Sequence, residues 1–110
     1  MIEQALADIV ERFNRRAERT ESVREELAGL ARTVTVRFAD GASYSVDLKD
    51  SRLQNLRAGS AEHPDLTIST DAATFQSLLA KEMGPVKAIV TRKLKIEGSL
   101  EDKLLFRKLL

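Results

Sequence analysis

From Thr33 onward the apolar residues of this chain fall on every second position. Val34, Val36 and Phe38 alternate with Thr35 and Arg37, Asp40-Gly41 supplies a tight turn, and Tyr44, Val46 and Leu48 resume the alternation with Ser45 and Asp47 opposite. Successive side chains on a strand point to opposite faces, so this pattern predicts a β-hairpin with one apolar and one polar face. A sheet that is apolar on one side must be covered on that side, and helices are the expected cover.

The rest of the chain contains such helices. Ile2, Leu6, Ile9, Val10 and Phe13 recur at helical spacing with charges between them, which predicts an amphipathic helix over residues 2–17. Ser22 followed by Glu25 reads as a capping box opening a second helix with Val23, Leu27 and Leu30, in which Gly29 would be internal. A weaker third strand is expected near Arg52–Arg57 around Leu53, then a polar loop from Gly59 to Pro64 and a fourth strand from Asp65 to Thr70. Asp71 or Thr70 would cap a helix carrying Phe75, Leu78 and Leu79. Gly84-Pro85 ends that helix and starts a short one, a fifth strand covers residues 93–97, and Ser99 with Asp102 can cap a last helix. The prediction is an α+β domain with a five-stranded, largely antiparallel sheet and helices packed on one face. It comprises N-terminal helices over residues 1–31, strands over 33–70, and helices, last strand and C-terminal helix over 71–110, with no internal repeat or linker.

The last third holds more apolar surface than one helix face needs. Leu100 and Leu104, Leu105 and Leu109, and Phe106 and Leu110 form three rows of residues four apart, wider than the usual stripe of ~100°. The surplus could meet more core, a second subunit, a membrane or an apolar ligand. No apolar run approaches the ~20 residues of a membrane span, and no secretory signal or peroxisomal Ser-Lys-Leu ending is evident. The absence of cysteine removes disulfides and thiolate chemistry and fits a reducing compartment, so a cytoplasmic protein is expected. Net charge is only +1, but residues 1–80 carry ten basic and thirteen acidic groups while residues 81–110 carry eight and four. That asymmetry suits an anionic surface near the C-terminal part, or solvating charge around an apolar segment.

Catalytic and metal chemistry find little support. His63 is the sole histidine and precedes Pro64, a context typical of an exposed loop. Neither a nucleophile–base pairing nor a glycine-rich phosphate loop is recognisable, and adjacent carboxylates such as Glu25-Glu26 and Glu101-Asp102 face different directions on a helix. Lys93-Leu94-Lys95 lacks the interleaved aromatics of a nucleic-acid stacking platform. Arg12, Arg15, Arg16 and Arg19 cluster near the end of the first helix, where its dipole favours cations without any ligand. The expectations are therefore no catalytic residue, no metal, no cofactor and no nucleic acid. What remains is an aliphatic set that periodicity alone would assign to plain core: Phe75, Leu78, Leu79, Met83, Val86, Ile89, Val90, Leu94, Ile96, Leu104, Leu105 and Leu109.

In that region the chain resembles the sterol carrier protein 2 (nonspecific lipid-transfer) family. Leu78-Leu79, Pro85, Ala88, Lys93-Leu94-Lys95-Ile96 and Gly98 keep the family's places. Pro64-Asp65-Leu66-Thr67-Ile68 is similar to the strand preceding its helix, and Arg37-Phe38 to Asp40-Gly41 suits its first hairpin. The likeness spans residues 33–110 and is most specific over 64–110. It departs at Lys81 and Arg92, which stand where glycines are usual, and at Ile89, which replaces the usual aromatic. If those glycine positions require positive φ, Lys81 and Arg92 are costly there.

The resemblance implies a stand-alone, prokaryotic-type, non-catalytic domain whose sheet and helices enclose an apolar lipid-binding tunnel, with the aliphatic set as candidate wall. Its ligand would be a sterol, fatty acyl chain, acyl-CoA or isoprenoid, bound and transferred within the cell. Lys93, Lys95, Lys103, Arg107 and Lys108 would favour transient contact with an anionic membrane, the protein being a monomer or weak homodimer. The alternative is an interaction or dimerisation module whose apolar C-terminal helix face packs on a partner protein.

Overall fold

A computed structural model describes residues 2–109, with side chains through Leu105. The elements follow in the order α1 (Ile2–Arg19), α2 (Glu21–Leu27), β1 (Ala31–Phe38), β2 (Ser43–Lys49), β3 (Arg52–Ala58), β4 (Leu66–Thr70), α3 (Ala72–Leu79), α4 (Pro85–Val90), β5 (Leu94–Gly98) and α5 (Leu100–Leu109). The α+β class and the five strands agree with the sequence reading. The sheet order is β3-β2-β1-β4-β5. Three of its neighbouring pairs are antiparallel and the central β1–β4 pair is parallel.

Register places the alternation as expected. Val34 lies opposite Val46 and Leu66, and Val36 opposite Tyr44 and Ile68, so the apolar residues of three strands share one face. The helices meet that face in two clusters. One joins Leu6 of α1 and Ala88 of α4 to Val34, Val36, Phe38, Leu66, Ile68 and Leu94, with Phe75 and Leu78 of α3 packed against it. The other joins Phe13 of α1 and Leu27 of α2 to Leu48 and Leu53, with Leu105 of α5 alongside. Arg32 lies in register with Leu48. Its Nε donates to Asp102 Oδ1 at 2.8 Å, tying α5 to the sheet. That hydrogen bond and the carboxylate charge raise the Arg32 pKa further above its ordinary value.

The parallel β1–β4 pairing has a cost in connectivity. β3 and β4 run the same way on opposite sides of the β2–β1 pair, so residues 59–65 must cross the sheet. They cross the polar face. Ala61 N–H donates to Thr35 Oγ1 (3.1 Å), the Thr35 and Ser45 hydroxyls are 2.9 Å apart, and Ser45 donates to the Gly59 carbonyl (2.8 Å). Because Ser45 spends its proton on Gly59, Thr35 must be the donor between the two hydroxyls. Thr35 and Ser45 are thereby only 0% and 1% exposed although they stand on the polar side. Small hydroxyl residues let the loop lie close and satisfy its backbone there.

Local chemistry meets expectation at the start of α3 and departs from it at α2. Thr20, not Ser22, precedes α2 as its N-cap and makes no side-chain cap bond; Gly29 lies beyond the helix end at φ +78°. Asp71 caps α3, accepting from Thr74 N–H at 2.7 Å and from the Thr74 hydroxyl at 2.8 Å. These bonds hold its carboxyl below the usual carboxylate range. Asp50 and Ser51, both at positive φ, join β2 to β3 in a two-residue turn. Asn55 (φ +57°) lies opposite a register shift between Ser45 and Asp47. Gly98 meets Leu66 so closely that a Cβ would stand 2.8 Å from the Asp65 carbonyl oxygen.

Thr35→Val keeps the shape of the side chain but leaves the Ala61 N–H and Ser45 without their partner. A loss of about 1–3 kcal/mol is expected from burying unsatisfied polar groups, measured as a lower urea midpoint with an unchanged slope.

Candidate functional site

A cavity of about 590 Å³ opens between α1 and the α3–α4 turn. Ile9, Phe13, Leu78, Leu79 and Met83 supply its apolar wall; Gly84 and Pro85 complete it beside the start of α4. Its volume falls within the ~300–1,000 Å³ usual for small-molecule sites. Arg12, Arg16 and Lys81 also line it, and all three are exposed residues. The Arg16 guanidinium carbon lies 5.7 Å from the centre of the Phe13 ring, a cation–π distance. Arg15 of the same helix is paired with Glu11. An apolar wall beside cations can hold an aliphatic chain and attract an anionic end group.

Local backbone shapes the α3–α4 side of this cavity. After α3 the Lys81 N–H donates to the Leu78 carbonyl (3.2 Å) and Glu82 N–H to the Ser77 carbonyl (2.9 Å). After α4 the same pair recurs, from Arg92 to Ile89 (3.0 Å) and from Lys93 to Ala88 (2.9 Å). Both are Schellman motifs, which need a left-handed residue just past the helix end. Lys81 (φ +60°) and Arg92 (φ +63°) occupy those positions. The turns expected of glycine are therefore kept, with side chains carried in a strained conformation.

The structure distributes the sequence-derived candidates over several environments. Leu78, Leu79 and Met83 stand together in the cavity wall. Phe75 packs edge-on against Phe38, with ring centres 5.4 Å apart; Leu94 is buried in the cluster against which Phe75 and Ile96 pack. Leu105 joins the second cluster. Val86, Ile89, Val90 and Leu104 are exposed, and the Leu109 side chain lies outside the described residues. The cations proposed for a membrane divide likewise: Lys93, Lys95 and Lys103 are exposed, whereas the side chains of Arg107 and Lys108 are outside that range.

The α1 side of the wall, from Ile9 to Arg16, escaped sequence reasoning because its spacing accounts fully for an ordinary amphipathic helix. The one available signal was the arginine cluster on that helix. His63 is exposed in the β3–β4 loop. Among the described residues no group of three or more His, Cys, Asp or Glu could hold a metal ion, and no helix is long and apolar enough to cross a membrane.

The mixed five-stranded sheet, its helical cover and a cleft under α1 define an α+β domain of the sterol-carrier type. The chain belongs to the SCP-2 sterol transfer family, whose pattern matches residues 10–110. No curated protein matches it in sequence. Among solved structures, a sec-alkylsulfatase, Pisa1 from Pseudomonas sp., is 22% identical with a TM-score of 0.64 over 79% of this chain, which spans only 14% of the sulfatase. UbiJ-SCP2, described as a ubiquinone synthesis protein, is 17% identical with a TM-score of 0.67, covering 97% of this chain and 88% of its own. Palmitated SCP2L2 from Aedes aegypti is 18% identical with a TM-score of 0.61, covering 92% and 89%. These likenesses establish a shared fold.

Lys81→Gly and Arg92→Gly are each expected to stabilise the protein by about 1 kcal/mol. A left-handed non-glycine residue costs ~1–2 kcal/mol, partly offset by the extra unfolded freedom of glycine. Urea midpoints should rise for both, and Arg92→Gly is the cleaner test because Arg92 is not part of the cavity wall.

Proposed function

We propose that the cleft between α1 and the α3–α4 turn binds the apolar chain of a lipid, which the protein carries to a membrane or an acceptor enzyme. The observation that carries this reading is the cavity of about 590 Å³ walled by Ile9, Phe13, Leu78, Leu79 and Met83. Family membership supports it, as does a palmitated neighbour with the same fold. Burial of the chain drives binding at ~25 cal/mol per Å² of apolar surface, and an aliphatic wall selects broadly among acyl chains, isoprenoids and sterols. Arg12, Arg16 and Lys81 favour ligands with an anionic end, such as a fatty acid or acyl-CoA. The role is non-catalytic: the lipid is bound and released unchanged.

Purified protein is expected to take up a fluorescent long-chain fatty acid. Leu79→Glu, which puts a charge into the apolar wall at a half-buried position, should weaken uptake about tenfold or more, equivalent to the ~1.4 kcal/mol of a modest desolvation penalty. Absence of uptake by the parent protein, or equal uptake by Leu79→Glu, would contradict the proposal.

One observation favours a second reading as an interaction module. Leu100 and Leu104 lie four apart on α5 and are 74% and 52% exposed, an apolar row open to a second copy. If that reading is right, sedimentation equilibrium will show a dimer that Leu104→Asp dissociates while lipid uptake is unaffected.

A further inference from the structure

α4 is a short helix with its apolar residues turned the wrong way for a core element. Val86, Ile89 and Val90 follow helical spacing of three and four and so share one side; Val86 and Val90 are 72% and 74% exposed and Ile89 46%. Ala88, on the other side, is wholly buried against the sheet. The segment 81–93 around these tips carries Lys81, Lys87, Arg92 and Lys93 against one acidic residue, Glu82. All four cations are exposed. Asp71 lies near enough to Lys93 for that charge to help lower its pKa, which still leaves the surface positive.

We propose that this face of α4 docks the protein onto an anionic lipid bilayer. Aliphatic tips flanked by cations are the chemistry of an interfacial helix, whose apolar side enters the boundary between head groups and acyl chains. Each Lys or Arg near an anionic surface adds about 1 kcal/mol of attraction, roughly a fivefold gain in affinity. Size separates this occupant from a protein. A stable protein interface buries ~800 Å² on each partner, far more than three side chains on a helix of six residues provide. A reversible encounter with a bilayer needs no such area.

Position gives the contact a purpose. Pro85, the first residue of α4, and Gly84 before it belong to the cavity wall, so a bilayer seated on α4 lies beside the mouth through which a lipid would pass. This purpose rests on the lipid-carrier reading. The docking surface does not, because Val86, Ile89 and Val90 are not among the residues lining the cavity.

The test is co-sedimentation of the full chain with vesicles of phosphatidylcholine alone and of phosphatidylcholine mixed with phosphatidylglycerol. Binding is expected to the mixed vesicles, to fall as salt is raised, and to be weak on the neutral ones. Lys87→Ala should lower affinity about fivefold. The double variant Val86→Asp/Val90→Asp should lower it about tenfold or more, with an unchanged circular dichroism spectrum since both sites face solvent. Fatty-acid uptake from water should persist in these variants. Failure of uptake in the parent protein with vesicle binding intact would strike the carrier reading alone. The docking proposal is overturned by vesicle binding that survives Val86→Asp/Val90→Asp, by absence of binding to anionic vesicles, or by a dimer in solution that the double variant dissociates.

Discussion

The parallel pairing of β1 with β4 is the constraint on which the rest of this structure depends. A hairpin of β1 and β2 extended by β3 could have remained a simple meander. Placing β4 on the other side of β1, in the same direction, obliges the chain to cross the sheet between Ala58 and Leu66. The apolar face is taken by helices, so the crossing falls on the polar face and must bury backbone there. Thr35 and Ser45 make this possible, linking Ala61 N–H to the Gly59 carbonyl through two hydroxyls. A polar network of this kind is favourable because each member is satisfied.

The apolar face has a division of its own. α1 contributes Leu6 to one cluster and Phe13 to the other. Its middle, with Ile9 and Arg12, stands across from the α3–α4 turn with a cavity between. The turn cannot close the gap easily: Pro85 starts α4 with a fixed φ, and the Schellman bond from Glu82 to Ser77 sets the chain leaving α3. A cavity here thus follows from how two helix ends are terminated, while the core around Val34, Val36 and Phe38 remains close-packed.

Much of this was legible in the residues. The period-two run from Val34 to Leu48 announced the hairpin and its faces, because a one-residue slip would reverse every side chain. Asp71, Pro85 and the Ser99–Asp102 pair, 3.0 Å apart in the fold, are local signals that act where they stand. The parallel β1–β4 pairing was not legible, since alternation reports which face a residue takes and nothing about strand direction. Nor was the burial of Thr35 and Ser45, which depends on loop residues 26 and 14 positions further on. The α1 wall was hidden for a related reason: Ile9 and Phe13 have the spacing of any core-facing helix, and only the opposing turn makes them a cavity wall.

α4 shows how pattern and orientation can part. Its sequence, Pro-Val-Lys-Ala-Ile-Val, offers three large aliphatic residues and one small one, and hydrophobicity alone would turn the large ones inward. The structure buries Ala88 instead, in the cluster with Phe38 and Leu94. The connection explains the choice. α4 must end in a left-handed residue at Arg92 so that Lys93 can close on Ala88 and deliver Leu94 into register opposite Thr70. That return sets Ala88 fully buried against the sheet residues Phe38 and Leu94, and a bulkier side chain at a fully packed position would force the surrounding structure to shift. Val86, Ile89 and Val90 face outward as a consequence of the strand that follows them. An aliphatic face held outward by such a constraint, and surrounded by cations, is available to a surface other than the protein's own core.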